Sequence, residues 1–433
     1  MTRTSATRTV APGSLVIDDE LATLRSTVES ALPAFLADLE RLCSIDCGSY
    51  TPDGVNAVAT WVVGELEGLG ATVERRPDPS GRFGDTVIGT IEGRAGAGPR
   101  LLLIGHMDTV FEVGTVAKRP FRIEDGTRVS DGQPGRIARG PGVSDMKAGL
   151  LAGLRALAAL QRLAVGSLVS LPFERITFVA NPDEEIGSPT STPHIEALAR
   201  TTDAAFVLEC ARATGEFVSA RKGIADLRIR VFGKAAHAGV EPEKGRSAIL
   251  AGADLVRGIH ALNGRWPGVT TNVGVFRAGT RPNIVCDEAE LDVDVRATTA
   301  EHLDQALGAI RDLAADPSVP GCTTDIETMA GWAPMEKLER SGRLADHVIA
   351  LARRLGFETR DVSTGGASDA NTTSGMGVPT IDGLGPIGGM DHSPDEYLEV
   401  DSIVPRTSLV AALLLAVMRD PEVAAWRTTG PAR

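Results

Sequence analysis

Five short stretches of this sequence carry side chains able to hold a cation or move a proton. They are LLLIGHMDTV (His106, Asp108), ARGPGVSDMKAGL (Asp145), ITFVANPDEEIGS (Asp183, Glu184, Glu185), AAFVLEC (Glu209) and GGMDHSPDEY (His392). Each is ambiguous alone. His106 and Asp108 lie two apart on a predicted strand and so face one way. They form either a metal-bound imidazole with a carboxylate fixing its tautomer or a hydrogen-bonded pair at a strand end. Asp145 precedes an apolar helix and reads as its N-cap, or as a carboxylate whose two oxygens bridge two ions. Glu184 and Glu185 are adjacent, so their side chains diverge. One can ligate a metal while the other faces a bound water, which sets a general base beside a Lewis acid. The alternative is an exposed acidic turn. Glu209 closes an apolar strand, either at a sheet mouth or paired with Arg212. His392 in a glycine-rich loop says nothing by itself.

Jointly they say more. Several of these residues follow the carboxyl ends of successive apolar strands, where open α/β sheets bind ligands. His106, Asp145, Glu185, Glu209 and His392 supply two imidazoles and three carboxylates. That set suffices for two zinc-like ions sharing one carboxylate, each with a position open for water. Apart from His237, the remaining histidines (His194, His260, His302, His347) have no matching carboxylates and read as structural or solvated.

The elements that must position these groups follow from periodicity. Residues 1–18 read as a frayed tail, and 19–69 show helical spacing. The runs TVIGTIEG, RLLLIGHMD, RITFVANP and AAFVLE read as strands, and DMKAGLLAGLRALAALQRL reads as a helix starting at Asp145. This alternation predicts an α/β domain with a sheet covered by helices. Near Arg221 the texture changes to alternating strands and two helices over roughly 110 residues, a compact α+β unit. It is expected as an insertion over 220–328 in a domain formed by 19–219 and 329–433. Two linkers, near Ala220 and Thr328, predict hinge closure.

Composition narrows the classes. The chain has 433 residues, 44 Lys and Arg against 57 Asp and Glu, and a net charge of −13. Such a chain lacks the clustered cations that nucleic acids or anionic membrane surfaces require. Its longest purely apolar run, 409–418, is far short of the roughly 20 residues of a membrane span. The N-terminus has arginines and no apolar run, which predicts no secretory signal. Five cysteines, an odd number, predict reduced thiols and a cytoplasmic setting. EGRAGAGPR precedes a strand instead of joining a strand to a helix, so it is no dinucleotide fingerprint.

The order of motifs resembles the co-catalytic zinc exopeptidase family that includes glutamate carboxypeptidase, acetylornithine deacetylase and succinyl-diaminopimelate desuccinylase. The carrying segments are GHMDTV, GVSDMKAGL, PDEEIGS, VLEC, KAAHAGVEPEKGRSAI, RPNIVCDEAELDVDVR, GGASDA and HSPDEY. The His-x-Asp form and HAGVEPEKGRSAI look most like the glutamate carboxypeptidase branch. The resemblance implies a mixed sheet flanked by helices, with an inserted ferredoxin-like lid that also forms a homodimer. It implies two divalent ions per chain, zinc foremost, with cobalt or manganese as alternatives. His106 and Glu209 would hold one ion, Glu185 and His392 the other, with Asp145 bridging. Asp108 would orient His106, and Glu184 would be the catalytic base. His237 would polarise the scissile carbonyl, commonly from the partner subunit. Asn283 and Arg296 would contact substrate, Arg296 through its carboxylate; its competing role is an ion pair with Asp294. Gly365 and Gly366 would line the cleft. Trp332 stands where carboxypeptidase relatives often carry an arginine, which points toward an apolar or aromatic group in the substrate.

The expected activity is release of a C-terminal amino acid from a small peptide or N-acyl conjugate. The alternative is deacylation of an N-acyl amino acid or acylated diamine. A non-catalytic binding protein on the same scaffold would lack a ligand or the base, and none is missing.

Overall fold

The computed structural model describes residues 11–167 and 171–429, which divide into two compact units. The first comprises residues up to Ser219 together with Lys337–Val362 and Ser368 onward; the second comprises Ala220–Glu336 and Ser363–Ala367.

The first unit is a mixed α/β layer structure. Its six-stranded sheet runs in the order Thr72–Arg76, Thr86–Glu92, Arg175–Asn181, Arg100–His106, Ala204–Val207, Thr380–Ile381. The first two strands run antiparallel to their neighbours, and the rest are parallel. The central strands are apolar throughout because both faces are covered. Register does the positioning. His106 is level with Asn181, and Ile104 with Val207. Glu184 and Glu185 therefore emerge just beyond one strand, and Glu209 beyond another, on the same side as His106.

The helices Asp18–Cys43, Ala148–Ser167 and Ile403–Arg419 pack on one another in the main core. The apolar run 409–418 is buried throughout. Gly149 sets how closely the middle helix approaches the sheet, since a Cβ there would lie 1.8 Å from the Leu208 carbonyl oxygen. The expected long helical stretch over 19–69 is two helices, Asp18–Cys43 and Pro52–Gly68, separated by a loop.

Of the tail expected to be frayed over 1–18, residues 1–10 lie outside the described residues. From Ala11 on it is packed. Val16 is buried, the Gly13 N–H donates to His347 Nδ1 at 3.0 Å, and Arg354 donates to the Val16 carbonyl at 2.6 Å.

The second unit is a four-stranded antiparallel sheet in the order Thr270–Ala278, Glu288–Ala297, Gly223–Phe232, Thr323–Trp332, with helices Ala248–His260 and Ala300–Ala315. Ser247 and Thr299 cap these helices, accepting from the N–H groups of Leu250 and His302. The last strand pairs as far as Trp332 with Ile224. The chain returns to the first unit at Lys337, later than the boundary at 328 expected from sequence.

Candidate metal centre

Two triads of ligand atoms sit at the mouth of the parallel strands. His106, Asp145 and Glu209 form one; Asp145, Glu185 and His392 form the other; within each triad the atoms lie within 4.8 Å of one another. Asp145 belongs to both. Its Oδ1 is 3.0 Å from His106 Nε2 and its Oδ2 is 3.2 Å from His392 Nε2. Glu209 Oε1 is 3.6 Å from His106 Nε2, and Glu185 Oε2 is 2.9 Å from His392 Nε2.

Asp145 is not the helix cap that its position suggested. The helix proper begins at Ala148, and Asp145 sits in an irregular turn with φ −110° and ψ 95°. That turn is held from elsewhere in the chain. The buried Glu396 carboxylate accepts from the N–H groups of Gly142 (2.9 Å), Ser144 (2.8 Å) and Asp145 itself (3.0 Å). Burial nonetheless pushes the Glu396 carboxyl up to about 7, against the pull of those three donors.

The imidazole of His106 is fully enclosed. Its Nδ1 is 3.1 Å from the Asp108 carbonyl and 3.3 Å from Asp108 Oδ1. These acceptors place the ring proton on Nδ1 and leave the Nε2 lone pair toward Asp145 and Glu209, the tautomer a metal ligand needs. The Asp108 carboxylate also accepts from Ser49 Oγ (2.7 Å) and from the N–H groups of Glu184 and Glu185 (both 3.2 Å). One buried carboxylate thus fixes a candidate ligand histidine and the backbone of the acidic turn.

His392 is more exposed and lies in a loop between the short strands Gly388–Gly389 and Tyr397–Glu399. Its φ of +62°, like the +56° of Met390, is left-handed, a conformation that costs a non-glycine residue about 1 kcal/mol or more and persists where the surroundings enforce it. The loop just after His392 is held by Arg119 and Arg139, which donate to the Ser393 and Asp395 carbonyls, both at 3.0 Å.

The electrostatics fit a cation. Burial alone would raise the Asp145 carboxyl, but hydrogen bonds from both imidazoles hold it below the usual range. His392 is pushed up to about 10 by Asp145 and Glu185. Burial and then the Asp145 charge push Glu185 up to about 7. His106 is held well above its ordinary value: burial opposes this, but the charge of Glu209 and the hydrogen bonds of Asp108 and Asp145 outweigh it. Three carboxylates facing two imidazoles need positive charge between them, from protons or from metal ions. The mixed nitrogen and oxygen donor set suits zinc or a neighbouring divalent ion.

Glu184 stands beside the triads without joining them. It is buried in the short turn Glu184–Ile186, and desolvation raises its carboxyl well above the ordinary value. That is the direction expected of a general base working near neutral pH.

Asp183 is drawn away from the site. Its carboxylate accepts from the Thr190 N–H and from the Thr190 and Ser191 hydroxyls, all within 2.7 Å. Arg212 donates to the carbonyl and sulfur of Cys210, both at 3.2 Å. All five cysteines are free and buried.

The residues expected to meet substrate all lie in the second unit. His237 and Asn283 are exposed on facing segments, joined where the Ala238 N–H donates to the Asn283 carbonyl at 3.0 Å. Arg296 holds Asp294 through its Nε, 3.0–3.1 Å from both carboxylate oxygens, and donates to the Gly365 carbonyl at 2.9 Å. The competing ion pair is therefore present. The Gly366 carbonyl accepts from Arg221 at 3.1 Å. Trp332 is half-buried at the end of its strand.

Three supporting residues were not picked out by sequence: Glu396, Ser49 and Asp369. The buried Asp369 carboxylate accepts from Asn181 Nδ2 (2.6 Å) and Ser188 Oγ (2.7 Å), bracing the turn that carries Glu184, and burial pushes it up to about 6. Glu396 and Asp369 left a signal only as members of the segments HSPDEY and GGASDA; Ser49 left none.

Comparison with known proteins gives a consistent picture. The profile of peptidase family M20/M25/M40 matches residues 102–416. Carboxypeptidase G2 of Pseudomonas sp. (strain RS-16) is 32% identical over 389 residues, covering 88% of this chain and 89% of that protein. Among solved structures, the aminopeptidase PepT of Bacillus cereus is similar with a TM-score of 0.68 at 22% identity, covering 93% of this chain and 100% of that one. The M20 family metallo-carboxypeptidase Sso-CP2 of Sulfolobus solfataricus is similar with a TM-score of 0.66 at 16% identity, covering 88% and 99%. These two likenesses speak to the fold alone.

Proposed function

The chain belongs to peptidase family M20/M25/M40, a family of hydrolases, and on that premise we propose that it is a zinc-dependent exopeptidase of carboxypeptidase type. It would release a C-terminal amino acid from a small peptide or N-acyl conjugate. The observation that carries this reading is the pair of ligand triads sharing Asp145, with the buried Glu184 beside them. His106, Asp145 and Glu209 would hold one divalent ion, and Asp145, Glu185 and His392 the other. Bound there, such ions lower the pKa of water and stabilise developing negative charge.

The chain's own groups do the rest. Glu184 takes the proton from the water that attacks the carbonyl carbon and returns it to the leaving amine nitrogen. Asp108 keeps the His106 ring in its ligand tautomer. From the resemblance, His237 would polarise the carbonyl oxygen and Asn283 would contact substrate. Arg296 would receive a substrate carboxylate while sharing its guanidinium with Asp294, and Trp332 would offer an apolar face beside Gly365 and Gly366. A homodimer through the inserted unit is part of this proposal, supported by exposed apolar residues there such as Leu250 and Phe276. Five buried free thiols support a cytoplasmic setting.

The second reading, an N-acyl-amino-acid deacylase, uses the same chemistry and differs only in the substrate pocket. The test is elemental analysis paired with a panel of dipeptides and N-acyl amino acids, before and after chelation. Close to two ions per chain, with turnover abolished by chelation, is expected. Turnover of acetylated or succinylated amino acids without dipeptides would select the deacylase. Glu184→Gln is expected to lower kcat by about 10²–10⁴-fold while retaining the metal. Near-full activity would remove Glu184 as the base.

A further inference from the structure

A cavity of about 480 Å³ in the first unit opens beside Glu185. Glu185 is thus both a member of a ligand triad and a wall of this cavity. The other walls are mainly apolar: Tyr50, Val110, Phe111, Val113 and Ile186. Tyr50, Val110 and Val113 keep 65%, 39% and 69% of their surface exposed, which is costly for apolar side chains unless something covers them.

The cavity is stiff and tied to the reacting groups. Its floor forms where residues 48–51 meet 109–111: the Ser49 N–H donates to the Thr109 carbonyl at 3.2 Å, and the Thr109 N–H to the Cys47 carbonyl at 3.0 Å. Gly48 is pressed so close that a Cβ would lie 2.4 Å from the Phe111 carbonyl oxygen. The Ser49 hydroxyl bonds the same Asp108 carboxylate that holds the N–H groups of Glu184 and Glu185. The Arg119 guanidinium lies 4.3 Å over the Phe111 ring, and Tyr50 packs at a tilt of 47° against Phe83 with centroids 5.7 Å apart. Asp46 clamps the Val113 loop by accepting from the N–H groups of Gly114 (2.7 Å) and Val116 (3.0 Å).

We propose that this cavity receives an uncharged apolar acyl group, aromatic or branched aliphatic, on the carbonyl side of the scissile amide. The inference rests on the amide-hydrolase reading above and adds the substrate class. Apolar walls of this size match a small-molecule site. Glu112 lines the same cavity and is exposed; its charge disfavours the anionic end of an amino-acid substrate there, which leaves the acyl half as the occupant. A wall that is itself a ligand residue sets that acyl group next to the carbon to be attacked.

The test has a binding arm and a turnover arm, both on metal-loaded protein. In the first, 4-fluorobenzamide is titrated and followed by fluorine NMR with wild type, Val113→Asp and Val113→Phe. Val113 is at the exposed rim, so both variants should fold. Saturable binding is expected in wild type, weakened about tenfold by the rim charge of V113D, which a bound ring would have to desolvate, and by the filled space of V113F. In the second arm, N-acetyl, N-butanoyl and N-benzoyl derivatives of one amino acid are compared. kcat/KM is expected to rise about tenfold from acetyl to butanoyl and further to benzoyl, with the benzoyl-to-acetyl ratio collapsing in V113D. No saturable binding to wild type, or binding indifferent to both substitutions, overturns the proposal. Turnover without acyl preference also overturns it and spares the hydrolase reading. Benzamide binding as expected with no turnover of any amide overturns the reading instead, and the acyl assignment falls with it.

Discussion

Replacing Asp108 with Asn probes how one buried carboxylate organises the candidate centre. Oδ1 faces His106 Nδ1 at 3.3 Å and the Glu184 N–H at 3.2 Å; Oδ2 accepts from Ser49 Oγ at 2.7 Å and the Glu185 N–H at 3.2 Å. An amide can keep only one of the two oxygens. The less harmful rotamer gives up Oδ2: the Ser49 hydroxyl can turn and accept, but the Glu185 N–H then meets another donor. A buried N–H left without an acceptor costs about 1–3 kcal/mol. The other rotamer strands the Glu184 N–H and leaves the His106 ring only the Asp108 carbonyl at 3.1 Å. Loss of such a supporting partner, to the Glu185 turn in the first rotamer or to His106 in the second, typically weakens metal binding about 10–100-fold, equivalent to about 1.4–2.7 kcal/mol. The two losses separate experimentally. Denaturant unfolding in chelator should show the first alone, unfolding at saturating zinc the sum of the two, and competition with a coloured chelator the second alone. Zinc affinity within twofold of wild type, together with unchanged unfolding in chelator, would refute the claim that Asp108 holds the ring and the acidic turn.

Other outcomes follow from the same geometry. Chelation of metal-loaded protein is expected to lower the thermal midpoint, because bound ligand stabilises only the folded state; an unchanged midpoint would mean that no ion was bound at these triads. Glu396→Ala leaves three N–H groups without an acceptor, two of them buried, and should cost about 3 kcal/mol or more in unfolding free energy while weakening zinc binding through Asp145; a loss of stability with zinc affinity unchanged would show that the turn does not need the carboxylate to place Asp145. Asp420 is buried and bonded by His347 Nε2 (2.8 Å) and Arg343 Nε (2.6 Å). Burial would raise its carboxyl, but these bonds hold it below the usual range. A depressed folded-state value means stability that is present above the unfolded pKa near 4 and lost as pH falls through the folded value. Asp420→Asn should therefore be less stable than wild type by about 2–4 kcal/mol at pH 7, with the gap closing below about pH 4; an equal gap at pH 7 and pH 3 in chelator would contradict the assignment.

The parts of this molecule that could be read from sequence are those where residue type is dictated by chemistry or period. The central strands are apolar because both faces are covered, and their parallel register brings His106, Glu185 and Glu209 level once the strands are recognised. The boundary at 328 came out early for a physical reason. The ladder shifts register between Thr328 and Ala330, and this irregularity breaks the alternation that marks a strand, so the strand's last residues looked like linker. Asp145 alone read first as a cap and only second as a bridging ligand, because the choice depends on the distorted turn 143–147. That turn rests on contacts invisible locally: the approach of Gly149 to the Leu208 carbonyl and the hydrogen bonds of Glu396 from 251 to 254 residues away.

That distance explains why the supporting residues stayed hidden. A metal ligand must be one of a few side chains, so it announces itself by type. A residue that only accepts from backbone N–H groups can be any acceptor of the right reach, and its partners carry no side-chain signature at all. Glu396 is such an acceptor; Asp108 holds two backbone N–H groups besides Ser49 Oγ, and Asp369 accepts from Asn181 Nδ2 and Ser188 Oγ, and together they restrain the turns bearing Asp145, Glu184 and Glu185. Crowded carboxylates repel when no cation lies between them, so turns that carry them would spread unless tied to the scaffold. Buried carboxylates that grip those turns by their backbones supply the tie without competing for the ion. The candidate centre is therefore organised in two layers of acid residues, of which sequence displays the inner one and, in the outer, only Asp108, whose spacing from His106 is local.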